Sequence, residues 1–276
     1  MNIDLHCHSR ASDGALPPAD VARRAARAGV AVWALTDHDE LSGLAEAREA
    51  AAREGMQFVD GVEISVTWRG STLHVVGLRI DPGNAVLRAG LERVRGGRVE
   101  RARRISRDLA AAGVEGAFEG AMKHAENPAM VGRTHFARFL AEAGVVKTSK
   151  EAFRRFLVPG KPGYVPHEWV SLGDALAWIR AAGGQAVLAH PGRYGLSPGA
   201  LDSLLLEFIG AGGAAIEVVT GSHTPEQYRL FAAVARQYDL AASRGSDFHG
   251  PDEGAEFGTL PPLDPSLRPV WRAWGL

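Results

Sequence analysis

Residues 1–14 read MNIDLHCHSRASDG, placing two histidines one residue apart on what should be the first buried strand, with Asp4 before them and Asp13 after. Alternation along a strand points His6 and His8 to one face and Cys7 to the other. Two imidazoles side by side on an inward face are costly unless something binds their lone pairs. A divalent cation does so, with carboxylates from other strands completing its shell.

The same rhythm of strand, loop and helix continues outward from this stretch. PPADVARRAARAG reads as a helix opened by prolines and closed by Gly29. VAVWALTDHD is a second strand, followed by the alanine-rich helix LSGLAEAREAAAREG. MQFVDGVEIS and STLHVVGLRI read as two more strands, with a turn at Arg69 and Gly70. GGQAVLAHP, GGAAIEVVT and LAASRGSDFH come later, with helices such as TPEQYRLFAAVARQYD between them. Alternating β and α elements predict a mainly parallel sheet covered by helices, either barrel-like or open. Residues 95–166 break the rhythm: they hold helical segments and no convincing strand. They are read as a helical insertion that covers the active site, with apolar content too modest for an independent core. The parent domain is then 1–94 and 167–276.

Composition bounds the answer. The chain has 276 residues, 46% hydrophobic and 23% charged, enough for a full core without staples. A net charge of -1 gives no general argument for nucleic acid or membrane binding. A single cysteine excludes an internal disulfide and fits a reducing cytoplasm. No basic and apolar leader precedes the first strand, and no apolar run approaches the ~20 residues that span a bilayer. A soluble, cytoplasmic protein with no protein partner is expected.

The polar residues that look out of place fall at strand ends: His6, His8 and Asp13, then His38, Glu63, His74, His190, Asp247 and His249. In parallel α/β folds that rim is where ligands bind. A lone histidine there is more often a hydrogen-bonded structural residue than a ligand. Recurrence at successive strands favours metal, and the set is too large for one ion. Two or three ions sharing a carboxylate fit.

In order, DLHCHS…SDG, ALTDHD, GVEIS, LHVVG, LAHPG and GSDFHG resemble the motifs of the PHP (polymerase and histidinol phosphatase) family, within the amidohydrolase-like metallohydrolases. The resemblance covers nearly all of the chain outside the insertion. It implies a distorted (β/α)7 barrel with a trinuclear site, commonly loaded with manganese, iron or zinc. By position, His6, His8, Glu63 and Asp247 would hold the first ion. Glu63 would share the second with His74 and His190, and Asp13, His38 and His249 would hold the third.

Within the insertion, VGRTHFARFLAEAGVV and KPGYVP resemble the subgroup that dephosphorylates nucleoside 3',5'-bisphosphates, whose relatives also trim short RNA from the 5' end. The resemblance implies a phosphatase turning adenosine 3',5'-bisphosphate into AMP and phosphate. An oligoribonuclease, a histidinol-phosphate phosphatase and a non-catalytic polymerase module are the alternatives. Arg133, His135 and Arg193 are the candidate phosphate contacts, and His135 or His223 the candidate acids. The arginine-rich run LRAGLERVRGGRVERARRISRD reads as a solvated helix face, because Glu92, Glu100 and Asp108 intersperse it and no aromatic residues do.

Overall fold

The computed structural model describes residues 1–275. The chain begins with β1 (Ile3–Asp4), α1 (Pro18–Arg27), β2 (Val32–Leu35), α2 (Leu44–Arg53), β3 (Gln57–Trp68) and β4 (Ser71–Leu78). Next come α3 (Ala85–Arg95), α4 (Arg98–Ala111), α5 (Ala117–His124), α6 (Arg133–Glu142) and α7 (Ser149–Ala152). β5 (Val170–Ser171), α8 (Leu172–Ala181), β6 (Gln185–Leu188), α9 (Pro198–Gly210), β7 (Ala215–Thr220), α10 (Pro225–Gln237) and β8 (Ala241–Gly245) complete it.

Seven strands run in the order β1-β2-β3-β4-β6-β7-β8, and β5 pairs with β3 off this path. β8 returns to β1: Leu5 N–H donates to Arg244 O at 3.1 Å, and Asp247 N–H to His6 O at 2.8 Å. The sheet is therefore a nearly closed barrel of the PHP type. It is parallel except at β4, which runs antiparallel to both β3 and β6. That reversal brings His74, near the start of β4, to the rim that the parallel strands reach at their ends. Glu63 lies within the long β3 rather than at its end, because the β3–β4 hairpin continues beyond the rim.

Period-two alternation sorts the barrel interior into two layers. Ile3, Val32, Ala34, Val59, Val76, Leu78, Val187, Ala215 and Ala241 form an apolar floor. The same faces continue upward to His38 beyond β2, Glu63 on β3, His74 on β4 and Glu217 on β7. The first strand is shorter and less regular than its sequence predicts. Leu5 belongs to the floor, yet His6 belongs to the polar layer, so the alternation slips by one between them. Asp4 holds the slip by accepting from His6 N–H at 3.4 Å and Ser246 N–H at 3.0 Å.

Residues 95–166 hold no strand among the described residues. They gather a buried cluster of their own, including Ile105, Leu109, Phe136, Leu140, Phe156 and Leu157, which is more than the sequence reading allowed. Alanines at 102, 117, 121, 137 and 152 bring the short helices close enough for a few large side chains to fill the space. Polar contacts tie the segment to the barrel. Asn127 donates to Glu40 Oε2 at 3.1 Å, Thr134 to Asp13 Oδ2 at 2.8 Å, and Arg138 to Glu253 through bonds of 2.9 and 2.5 Å. Among the described residues, no helix is long and apolar enough to cross a membrane.

Candidate metal centre

Buried carboxylates anchor the loops that carry the site. Asp37 accepts from Ser9 N–H at 2.7 Å, Ser9 Oγ at 2.6 Å and Ser12 Oγ at 2.5 Å, which fixes the loop leading to Asp13. Asp39 accepts from Ser65 N–H at 2.8 Å and also pairs with Arg98. Glu217 accepts from His6 Nδ1 at 2.7 Å and from His190 N–H at 2.6 Å. Three non-glycine residues here have positive φ: Asp39 (48°), His190 (25°) and Asp247 (55°). Such conformations are uncommon outside glycine and cluster at functional sites.

The structure brings all nine predicted residues into one cluster around Glu63. Its Oε1 lies 3.3 Å from His6 Nε2, 3.1 Å from His74 Nδ1 and 2.9 Å from His190 Nε2. Its Oε2 lies 3.4 Å from His8 Nε2 and 2.9 Å from His38 Nδ1. Asp247 Oδ1 is 3.2 Å from His8 Nε2 and 3.5 Å from His6 Nε2. Asp13 Oδ1 lies 3.4 Å from His249 Nε2, while its Oδ2 is 4.0 Å from His38 Nε2. The nine fall into overlapping groups of three or four, with ligand atoms within 4.8 Å of one another in each group.

The chemistry of this donor set suits divalent ions. His8 Nδ1, His38 Nδ1, Asp13 Oδ1, Glu63 Oε2 and Asp247 Oδ1 are buried without a hydrogen-bond partner among the described residues. His38 Nδ1 and Glu63 Oε2 are close yet not aligned as donor and acceptor. Buried lone pairs in such numbers are expensive unless a cation takes them. Burial would raise the carboxyl pKa values. The surrounding imidazoles outweigh it and hold Asp13, Glu63 and Asp247 well below the usual range. Burial pushes His8 and His190 down to about 3, with His249 and Arg193 respectively adding to it, so both rings are neutral donors.

A small cavity of about 100 Å³, open at its mouth, lies against this cluster. Asp13, His38, His74 and His249 form one part of its wall, and Arg98, Arg101, Arg133, Arg193 and Trp169 another. Arg193 also pairs with Asp247 Oδ2 at 3.0 Å. His135 is not brought to this wall: it is buried in the first turn of α6, where Nδ1 accepts from Gly132 N–H at 3.0 Å. Its position three residues past the helix N-cap was the signal for that local role. His223 is committed at both ring nitrogens, Nδ1 donating to Val218 O at 3.1 Å and Nε2 accepting from Gly192 N–H at 3.0 Å. That leaves it no proton to give a substrate.

Sequence reasoning missed Glu217, Thr134, Arg98 and Arg101. For the two arginines a signal existed. Residues 98, 101, 102, 105 and 109 form the buried stripe of α4, so both arginines continue its apolar face.

Barrel, insertion and cluster together define a member of the PHP domain family, and the chain belongs to it; the family matches over residues 4–126. It is accordingly an enzyme of the phosphoesterase class. The chain is 53% identical over 272 residues to the 3',5'-nucleoside bisphosphate phosphatase of Chromobacterium violaceum, covering 98% of this chain and 95% of that protein. It is 41% identical over 273 residues to the 5'-3' exoribonuclease Rnm of Escherichia coli, covering 98% and 93% respectively. Its fold matches an amidohydrolase from Chromobacterium violaceum, solved with bound sulfate and no metal, with a TM-score of 0.97 and 52% identity. That match covers 100% of this chain and 96% of the other.

Proposed function

We propose that the chain is a metal-dependent phosphatase that hydrolyses nucleoside 3',5'-bisphosphates to the nucleoside 5'-monophosphate and phosphate. The observation that carries this reading is the nine-residue cluster beneath an arginine-lined cavity. The 53% identical relative of that name supports the substrate class. His6, His8, Glu63 and Asp247 would hold one divalent ion, Glu63, His74 and His190 a second, and Asp13, His38 and His249 a third. Manganese is the leading choice, with iron or zinc as alternatives. Ions bound there would lower the pKa of water and neutralise charge on the phosphoryl oxygens.

The rest falls to the chain's own residues. Arg193, at the cavity wall, presents a guanidinium to the reacting phosphate, and Arg133 a second; arginine's planar fork suits phosphate oxygens. Glu217 keeps the proton of His6 on Nδ1, leaving the Nε2 lone pair turned toward the cluster. Thr134, from the insertion, donates to Asp13 and holds it in place.

Hydrolysis of 5'-phosphorylated short RNA is the second reading, favoured by the 41% identical exoribonuclease. A steady-state panel on manganese-loaded protein tests both, using bisphosphates, mononucleotides, histidinol phosphate and a 5'-phosphorylated dinucleotide, with metal counted in parallel. The bisphosphate should give the highest kcat/KM, and activity should fall with metal removal. No phosphate release from the bisphosphate, or full activity after stripping, would overturn the proposal.

A further inference from the structure

The segment HPGRY, residues 190–194, does more than carry His190 and Arg193. β4 and β6 run antiparallel with Val75 opposite Leu188, so the next pair toward the rim is His74 and Ala189. A regular pair of this kind would exchange two backbone bonds. Among the described residues only one forms directly: Ala189 N–H donates to His74 O at 3.1 Å. A side chain interrupts the other. His74 N–H donates to Tyr194 Oη at 2.9 Å, and that hydroxyl donates to Ala189 O at 2.7 Å. One oxygen thus stands in the seam between the strands, at His74 itself and at the residue preceding His190.

The turn that delivers Tyr194 is fixed from several sides. His190 N–H donates to Glu217 Oε2 at 2.6 Å, and Arg193 N–H returns to His190 O at 3.0 Å. Gly192 N–H donates to His223 Nε2 at 3.0 Å, while Gln227 Nε2 donates to Gly192 O at 3.3 Å. A Cβ at Gly192 would lie 2.6 Å from Gln227 Nε2 and 2.9 Å from His223 Cδ2, so α10 and the loop before it press on the turn. His223, with no proton for a substrate, serves here as a clamp. The Tyr194 ring stands 5.6 Å from that of His190, at 66° to it, so the residue that bonds the His74 backbone also backs the His190 ring. Across the seam His74 Nδ1 and His190 Nε2 are 3.4 Å apart, with Glu63 Oε1 3.1 Å from the first and 2.9 Å from the second.

We propose that Tyr194 is a positioning residue: its hydroxyl, inserted between His74 N–H and Ala189 O, sets the spacing of the His74 and His190 rings. It thereby sets the affinity of the ion those rings would share with Glu63. This rests on the metal reading above and adds to it a residue that touches no ion. Without the hydroxyl, His74 N–H and Ala189 O have two courses. They close to a direct bond, which draws the strands together, or they stay apart unpaired, which leaves the seam loose. Either course moves the two donors, and a binding constellation tolerates only about 0.5 Å of displacement.

Tyr194→Phe removes that oxygen and keeps the ring. Ion content is counted after dialysis against a series of manganese concentrations, for wild type, Y194F, His74→Ala and the double variant, with thermal unfolding alongside. Y194F should fold and weaken one ion per chain by roughly 10- to 100-fold, leaving any other ion at its wild-type midpoint. In the H74A background Y194F should change ion content no further, because the site it acts on is already lost. A wild-type titration in Y194F overturns the inference. Equal weakening of every ion, or a further loss in the H74A background, overturns it too, since Tyr194 would then support the barrel in general. 4-Aminophenylalanine at position 194 returns a donor and a weaker acceptor and should give an intermediate affinity. It carries the same comparison if Y194F does not fold. Crystals of the ion-free chains separate this inference from the metal reading. If wild type takes up no ions, the metal reading fails. A changed distance between His74 Nδ1 and His190 Nε2 in ion-free Y194F would still support the spacer, and an unchanged one would reject it.

Discussion

Replacing Glu217 by glutamine is the sharpest perturbation of the cluster, because it changes one atom on a residue that would touch no ion. The side chain is 1% exposed, and its two oxygens accept from His6 Nδ1–H at 2.7 Å and His190 N–H at 2.6 Å. Glutamine keeps the size but offers only one acceptor. If its oxygen stays with His190, its NH₂ faces His6 and the ring must move its proton to Nε2, the atom aimed at Glu63 and Asp247. If its oxygen stays with His6, the NH₂ meets the His190 N–H donor to donor. A buried donor left unsatisfied costs ~1–3 kcal/mol. Removing a carboxylate behind a metal-bound histidine usually weakens metal affinity by about 10- to 100-fold, which is ~1.4–2.7 kcal/mol.

Agreement between those two estimates makes the expected result specific. E217Q should fold, lose part of its bound metal on dialysis and take it up again at about 10- to 100-fold higher free ion concentration. Activity should recover in step with occupancy when excess manganese is supplied. Elemental analysis, an ion titration and phosphate release at two metal concentrations measure this. Wild-type stoichiometry and a titration midpoint within twofold of wild type would refute the assigned role of Glu217.

Further perturbations probe the insertion, the barrel seam and the ionisation of the site. Burial alone would lower the pKa of His249, but Asp13 and Asp247 outweigh it and raise it to about 9 in the ion-free chain. Ion uptake at neutral pH must therefore displace a proton. Apparent affinity should climb with pH up to about 9, and calorimetry in buffers of different ionisation enthalpy that finds no proton release would contradict this. Arg138→Ala breaks the two bonds to Glu253 that tie α6 to the barrel. It should cost about 1–3 kcal/mol in urea unfolding and raise KM, whereas a neutral change would show that this bridge does not anchor the insertion. At Gly245 an added Cβ would sit 2.3 Å from His6 Cβ and 2.6 Å from His6 N, atoms with no room to yield. Gly245→Ala should therefore destabilise by at least ~1–3 kcal/mol and lower metal content, checked by thermal unfolding and elemental analysis.

Much of this was legible because the informative residues sit in local patterns. The spacing of His6 and His8, the TDHD and SDFH strand ends and the proline-to-glycine frame of the first helix each need only a few neighbouring residues. What stayed hidden depends on distant partners. Glu217 sits in the apolar run AAIEVVT, and the histidine that explains it lies 211 residues away. Arg101 resembled its solvated neighbours until Val165, 64 residues later, accepted its Nε–H. The opposite error occurred at His135 and His223. Their conspicuous motifs suggested chemistry, while backbone groups claim Nδ1 of His135 and both ring nitrogens of His223. The slip between Leu5 and His6 was illegible for a third reason: strict alternation is the only rule available before the neighbouring strand is known.

Barrel and insertion contribute unequally to the cluster, and side-chain contacts join them beside it. The barrel supplies all nine cluster residues from its strands or from loops they hold, and Asp13 also accepts from a hydroxyl of α6, the Thr134 bond of 2.8 Å. Asp39, next to His38, receives Arg98 from α4. Lifting the insertion would therefore do two things at once: it would withdraw Arg98, Arg101 and Arg133 from the cavity, and it would release Asp13 and the loop beyond His38. Loss of the Thr134 and Arg98 contacts is therefore expected to loosen the cluster and remove positive charge from the cavity together.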